Sequence, residues 1–270
     1  MRILRFTPPE NLGVGKDPHF GVLMENNQIQ LLKGDPLYSG IVPLDKTVSL
    51  EDVRLLAPVI PRSKVVCMGK NYADHAAEMN SSLPSHPLIF LKPNTSVIGP
   101  GDVISWPAMS ERVDFEGELA IVISRICKDV PRERVNDVIF GYTIANDVTA
   151  RDLQSVDKQW TRAKGFDTFC PLGPWIETDF IPGNQRLTTT LNNESKQSEP
   201  ISSMIFGISE IIHFITSVMT LLPGDVVLTG TPAGIGPMNP GDTVSVTIEE
   251  IGTLTNTVSK KSAIGVGHGG

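Results

Sequence analysis

Asp114-Phe-Glu-Gly-Glu-Leu-Ala-Ile-Val-Ile-Ser124 carries two signals in one short stretch. Residues 119–124 are almost wholly apolar and rich in Ile and Val, which predicts a buried strand. Just ahead of them, Glu116 and Glu118 stand two apart. At strand spacing, residues i and i+2 share a face. Two carboxylates there repel one another unless a proton or a cation intervenes. Gly117 lies between them, where a missing side chain lets backbone or a ligand come close. The same spacing is common on solvated acidic faces, so the pair alone leaves both readings open.

A second apolar run, residues 139–145, predicts another buried strand, and it ends just before Asp147. A strand end in a β core is a rigid platform from which to aim a side chain. Three carboxylates, with water and substrate oxygens completing the shell, suit Mg²⁺ or Mn²⁺ better than zinc. Glu116, Glu118 and Asp147 are therefore the candidate metal ligands.

Working outward, the pattern is strand-rich. Residues 1–60 read as a small β-rich domain. Segments 20–25 and 28–32 flank Asn26-Asn27, a hairpin turn signal. Residues 50–56 are expected to form a short helix, and Pro58 and Pro61 punctuate a linker. From residue 61 to 270 a second domain follows. It has predicted strands at 65–68 and 88–92, a short helix at 72–79, and a polar loop at 81–87. Three Pro-Gly-Asp turns, at 100–102, 223–225 and 240–242, each precede a β-favouring segment: 103–106, 226–229 and 243–248. Pro presets φ for such a turn and Gly accepts positive φ. The best helix candidate spans 208–221 and stops at Pro223-Gly224. The Gly-rich end, 265–270, is expected to be loose. The class is α+β, mainly β, with a few short helices.

Composition narrows the function. The chain has 270 residues, a net charge of −7 and no run of Lys or Arg. Nucleic-acid binding would need a basic face, so it is not expected. Small anions are still admissible, because a bound cation reverses the field of an acidic site. The three cysteines, Cys67, Cys127 and Cys170, are far apart and form no Cys-x-x-Cys pair. That argues against a zinc–thiolate site or a disulfide framework and fits a reducing cytoplasm. The apolar stretch 204–222 is interrupted by Glu210 and His213 and reads as a packed helix, not a membrane span. His213 is expected to pack or sit at an interface; His19, His86 and His268 have no convincing partners. No Gly-x-Ser-x-Gly element supports serine-nucleophile chemistry.

Other polar positions are open on spacing alone. His75 and Glu78 lie three apart on the predicted 72–79 helix, hence on one face, as an exposed helix-stabilising pair also would. Lys164 by itself reads as a surface lysine. Lys92, in Phe-Leu-Lys-Pro, is a candidate for binding a substrate anion. Thr231, in Gly-Thr-Pro, occupies a turn that offers a hydroxyl or a backbone N–H to a carboxylate. Arg151 and Asp152 are placed to form an ion pair with each other. The nearby Gly-Ile-Gly lacks the Lys-Ser/Thr ending of a phosphate-binding loop.

Five segments, taken in order, resemble one family. They are Gly69-Lys-Asn-Tyr-Ala-Asp-His-Ala-Ala-Glu78, Asp114-Phe-Glu-Gly-Glu-Leu-Ala120, Asn146-Asp-Val-Thr-Ala-Arg-Asp152, Lys164-Gly-Phe-Asp-Thr-Phe169 and Thr229-Gly-Thr-Pro-Ala-Gly-Ile-Gly236. Together they are similar to the fumarylacetoacetate hydrolase family over residues 60–258. One variation is Lys70, where many relatives carry Arg. The resemblance implies a mixed β-roll, a homodimer, and Mg²⁺ or Mn²⁺ held at Glu116, Glu118 and Asp147. It implies that His75, oriented by Glu78 on a mobile lid, activates water or moves a substrate proton. It also implies that Lys164 stabilises negative charge on the substrate, and that Gln154 touches the substrate.

The expected substrate is a small oxo-acid. The first reading is hydrolysis of a C–C bond in an acylpyruvate, with electrons flowing into a metal-bound enolate. The alternatives are an isomerase or decarboxylase of an oxo-hepta-diene diacid, an oxaloacetate decarboxylase, and a catalytically silent metabolite-binding protein. The enolate is common to all three reactions, so sequence separates them poorly.

Overall fold

The computed structural model describes residues 1–79 and 82–260. The Gly-rich 265–270 segment and His268 lie outside them. Strands dominate and form three sheets. The largest has twelve strands. From edge to edge ten of them run Pro43–Ser49, Gln28–Leu32, His19–Leu23, Arg2–Thr7, Cys170–Glu177, Ile139–Asn146, Gly117–Ile123, Val226–Leu228, Val65–Gly69 and Leu88–Lys92; off this path Arg54–Leu56 pairs with Arg2–Thr7 and Val97–Ile98 with Cys170–Glu177. Val226–Leu228 runs parallel to Val65–Gly69 inside an otherwise mostly antiparallel sheet, so the architecture is mixed, as expected. A five-stranded sheet contains Arg186–Leu191 and Thr243–Ile248, and a small third sheet joins Val113–Phe115 to Thr149–Ala150 and Gly236–Met238.

Gly117–Ile123 is central because it is apolar on both faces. Leu119, Ile121 and Ile123 point into a core shared with Ile211, Ile212 and Ile215 of the Ile208–Val218 helix. Ala120 and Val122 point into a second core with Ile3, Cys67, Leu172 and Leu228. A strand buried this way reads as a continuous hydrophobic run. The helix contributes one apolar stripe, and it ends three residues earlier than expected, where Met219 turns extended.

The first strands carry a small core of their own, Leu4, Phe6, Ile29, Leu31 and Val48. They join the large sheet where Arg2 and Ile3 pair with Glu177 and Ile176. The predicted hairpin at Asn26-Asn27 forms, with Asn27 left-handed. The helix expected at 50–56 does not. A single 3-10 turn, Leu50–Asp52, is followed by the strand Arg54–Leu56, which pairs with Arg5, Phe6 and Thr7. Strand pairing and burial of Leu55 against the small core override the local helical preference.

The three Pro-Gly-Asp turns share one construction. Each Gly has positive φ, between 74° and 99°. Each Asp carboxylate turns back to accept from the backbone N–H three residues earlier: Gly99, Leu222 and Asn239. All three cysteines are free and buried. Among the described residues no helix is long and apolar enough to cross a membrane.

Candidate functional site

Adjacent antiparallel strands bring the three carboxylates together. Gly117 is paired with Asn146 and Glu118 with Ala145. Glu116 sits in the break between Val113–Phe115 and Gly117–Ile123, and its carbonyl accepts from the Asp147 N–H at 2.8 Å. Asp147 therefore follows its strand directly into the same corner. One oxygen from each of Glu116, Glu118 and Asp147 lies within 4.8 Å of the others, and all three residues are buried. Gly117 is needed for a different approach than expected. A Cβ there would collide with Thr189 Oγ1 and come within 2.9 Å of Val246 Cγ1, so the glycine lets the five-stranded sheet close onto the site.

Buried cations surround the acids. Lys164 Nζ donates to Glu116 Oε2 at 2.8 Å and to Asp147 Oδ2 at 2.6 Å. Lys92 Nζ donates to Asp147 Oδ1, and to the Val148 carbonyl at 3.1 Å. Arg151 pairs with Glu116 Oε1 and donates to Asp114 Oδ2 at 2.9 Å. Asp114 is in turn held by Arg112 at 2.9 Å. Burial works to raise the Glu116 pKa, but Lys164, Arg151 and His75 outweigh it and hold the carboxyl well below its usual range. Burial also works to lower the Lys164 pKa, and the Asp147 and Glu116 charges reverse that.

Glu118 is the exception. Among the described residues its one hydrogen-bond donor is the Gly230 N–H, at 2.6 Å, and no cation pairs with it. Burial, then the charges of Asp147 and Glu116, push its pKa well above the carboxylate range. A carboxylate so placed calls for either a proton or a cation. An all-oxygen donor set suits a hard divalent ion. The residues thus fit the ion that the sequence implies.

One cavity is lined by Glu116, Glu118, His75, Lys164, Arg151, Gln154 and Thr231, together with Lys70 and the apolar side chains Met68, Met79, Phe90 and Trp160. His75 lies on the Ala73–Glu78 helix, with Nδ1 3.3 Å from Glu78 Oε2. Glu78 also accepts from the Gly234 N–H at 3.2 Å, which docks the helix onto the 229–236 loop. Gln154 Oε1 accepts from Arg151 at 2.7 Å. Thr231 Oγ donates to the Gly117 carbonyl and accepts from Gln197, both at 2.8 Å. Its hydroxyl is therefore committed to the frame.

Two expectations change. Lys92 does not line the cavity; it is sealed from solvent, and a substrate anion would have to displace Asp147 to reach it. Arg151 pairs with Asp114 and Glu116, not with Asp152, whose carboxylate accepts from Ser110 Oγ and the Glu111 N–H. Asn71, Gln197 and Trp160 were not singled out in the sequence. Asn71 ties Thr229 to Phe206, and Gln197 ties Gly117 to Thr231 and Pro232. No spacing rule marks an amide whose partners come from distant strands.

Residues 64–259 match the family model described as Fumarylacetoacetate (FAA) hydrolase C-terminal, and residues 1–58 match one described as Rv2993c-like, N-terminal. The protein Rv2993c of Mycobacterium tuberculosis is 53% identical, over 97% of this chain and 99% of its own length. The oxaloacetate tautomerase YisK of Bacillus subtilis is 43% identical, over 78% of this chain and 74% of its own. Among solved structures, 5-carboxymethyl-2-hydroxymuconate delta-isomerase from Mycobacterium smegmatis superposes with a TM-score of 0.88 at 47% identity, covering 97% of this chain and 100% of that one. Maleylpyruvate hydrolase from Sphingobium sp. SYK-6, in complex with manganese(II) and pyruvate, gives a TM-score of 0.77 at 28% identity, covering 96% and 99%. By matched length and identity, this chain belongs to the fumarylacetoacetate hydrolase family.

Proposed function

We propose that this chain is a divalent-metal-dependent enzyme that moves a proton at the carbon beside the 2-oxo group of a small oxo-acid, as a tautomerase or isomerase. The observation that carries the proposal is the placement of His75 and Lys164 on one cavity with Glu116 and Glu118, whose carboxylates share a buried corner with Asp147. The tautomerase and isomerase among the similar proteins, at 43% and 47% identity, support proton transfer ahead of the hydrolysis favoured from sequence.

Mg²⁺ or Mn²⁺ held by Glu116, Glu118 and Asp147 would supply Lewis acidity, which lowers the cost of charge on the 2-oxo oxygen. His75, with Nδ1 on Glu78, has Nε2 available to take the proton from the carbon and return it. Glu78 fixes the orientation of the ring. Lys164 is held in place by Glu116 and Asp147, so its ammonium is preorganised as a donor to the developing oxyanion. With the Thr231 hydroxyl engaged, its backbone N–H is the group assigned to the substrate carboxylate. Gln154 offers its amide N–H₂, since its oxygen is taken by Arg151.

Acylpyruvate hydrolysis is the second reading, supported by the maleylpyruvate hydrolase relative. It needs the same residues plus a water activated by His75. The test is to strip the protein of metal, restore Mn²⁺ or Mg²⁺, and follow oxaloacetate enol absorbance and acylpyruvate fragmentation side by side. Metal-dependent loss of the enol signal without released pyruvate supports proton transfer. Pyruvate with a second acid supports hydrolysis. Metal-dependent binding with no turnover of either would leave a metabolite-binding protein and overturn the proposal.

A further inference from the structure

The cations lining the cavity are not equivalent. Lys164 is engaged by Glu116 and Asp147, and Arg151 by Asp114 and Glu116. Lys70 lines the same cavity, yet among the described residues its ammonium has no acidic partner. It is also held in an unusual place. Lys70 follows the strand Val65–Gly69 with φ of 57°, a left-handed conformation uncommon for a residue with a side chain. The next residue, Asn71, is fully buried. Its side chain donates to the Thr229 carbonyl at 2.7 Å and accepts from the Phe206 N–H at 2.8 Å. The backbone carrying Lys70 is thereby anchored between the carboxylate corner and the His75 helix.

The rest of that wall offers little to an anion. Met68, Met79, Phe90 and Trp160 are apolar or aromatic, and the Trp160 ring packs on Gly69 and edge-on to Phe90, with centroids 5.1 Å apart. If a 2-oxo acid binds with its carboxylate and oxo oxygens at the triad, its far end lies in the rest of the cavity, whose lining includes Lys70. If that end is a second carboxylate, burying it against this wall without a donor is costly.

We propose that Lys70 recognises the distal carboxylate of the substrate and makes the site selective for 2-oxo dicarboxylates over 2-oxo monocarboxylates. Lys70 is thus a specificity-determining residue, and the assignment rests on the metal-and-oxo-acid reading given above. The long stem of lysine lets the ammonium follow carboxylates at slightly different distances.

The test compares oxaloacetate with 2-oxobutyrate, which share a carbon skeleton and a 2-oxo acid head and differ in a terminal carboxylate against a methyl group. Affinities are measured by calorimetry on the Mn²⁺-loaded full chain. The wild type is expected to prefer oxaloacetate. Lys70→Met is expected to cut that preference about tenfold, in line with loss of one charge-assisted hydrogen bond. Lys70→Arg is expected to retain it. An unchanged preference in Lys70→Met, or an equal loss for both acids, overturns the assignment. Failure of both acids to bind the Mn²⁺-loaded wild type overturns the oxo-acid reading itself.

Discussion

At one end of the Val226–Leu228 strand, Asp225 is fully buried and fully matched. Its carboxylate accepts from Ser63 Oγ, the Lys64 and Leu222 N–H groups, and Lys64 Nζ at 2.8 Å. Past the other end, Gly230 donates to Glu118, which shares its corner with Glu116 and Asp147 and, among the described residues, has no cation of its own. Both ends bury acid in the same sheet. The Asp225 end closes its own charge balance within a few residues of sequence and one neighbouring strand. The Glu118 end draws Lys164, Lys92 and Arg151 from three separate segments and still leaves one carboxylate held up by burial and like charge. A buried charge with a complete partner set is architecture; one left incomplete is a place for something to bind.

The comparison can be broken by substitution. The largest effect is expected for Asp147→Asn, which removes one donor oxygen's charge from the triad. Metal-dependent turnover should fall by more than about a thousandfold, and Mn²⁺ binding measured by calorimetry should weaken with it. Retained turnover would mean that the triad is only structural. His75→Ala comes next. Turnover should drop about 10²–10⁴-fold, as for loss of a general base, while Mn²⁺ affinity stays close to that of the parent. Equal losses in both would remove the acid–base role.

Asp225→Ala tests the matched end. Breaking a buried pair costs about 3–5 kcal/mol. Because Lys64 keeps 18% exposure and can turn to water, the lower end of that range is expected in a denaturant titration. Turnover per folded molecule should hold; if it falls as far as in His75→Ala, the two ends are not separable.

The smallest effect sharpens the contrast in sign. In metal-free protein the Glu118 pKa is raised, so the stability this group contributes is present below the ordinary carboxylate range and is lost as pH rises through its own pKa. Glu118→Gln removes that loss. Its Tm without metal should exceed the parent's by a few degrees at pH 8 and should match it more closely at pH 5. Added Mn²⁺ should stabilise the parent and not the variant. A Glu118→Gln protein less stable than the parent at pH 8 would show that the corner is not under charge stress.

What was legible along the chain was local. The i, i+2 relation of Glu116 and Glu118, the strand leading to Asp147, the i, i+3 pair His75 and Glu78, and the Pro-Gly-Asp turns all follow from backbone geometry over a few residues. Five ordered motifs added the family. The Asn192-Asn193 turn between Arg186–Leu191 and Glu194–Pro200, both residues left-handed, is an equally local hairpin signal.

Tertiary structure alone decided which charges meet. It put Lys92 on Asp147, turned Arg151 away from adjacent Asp152 toward Asp114 and Glu116, spent the Thr231 hydroxyl on Gly117, and made residues 54–56 a strand. The physical reason is that periodicity fixes which face a side chain occupies, whereas its partner is set by which distant strand is pressed against that face. Once water is excluded, a buried ammonium or guanidinium must take the carboxylates that packing supplies, whatever lies beside it in sequence.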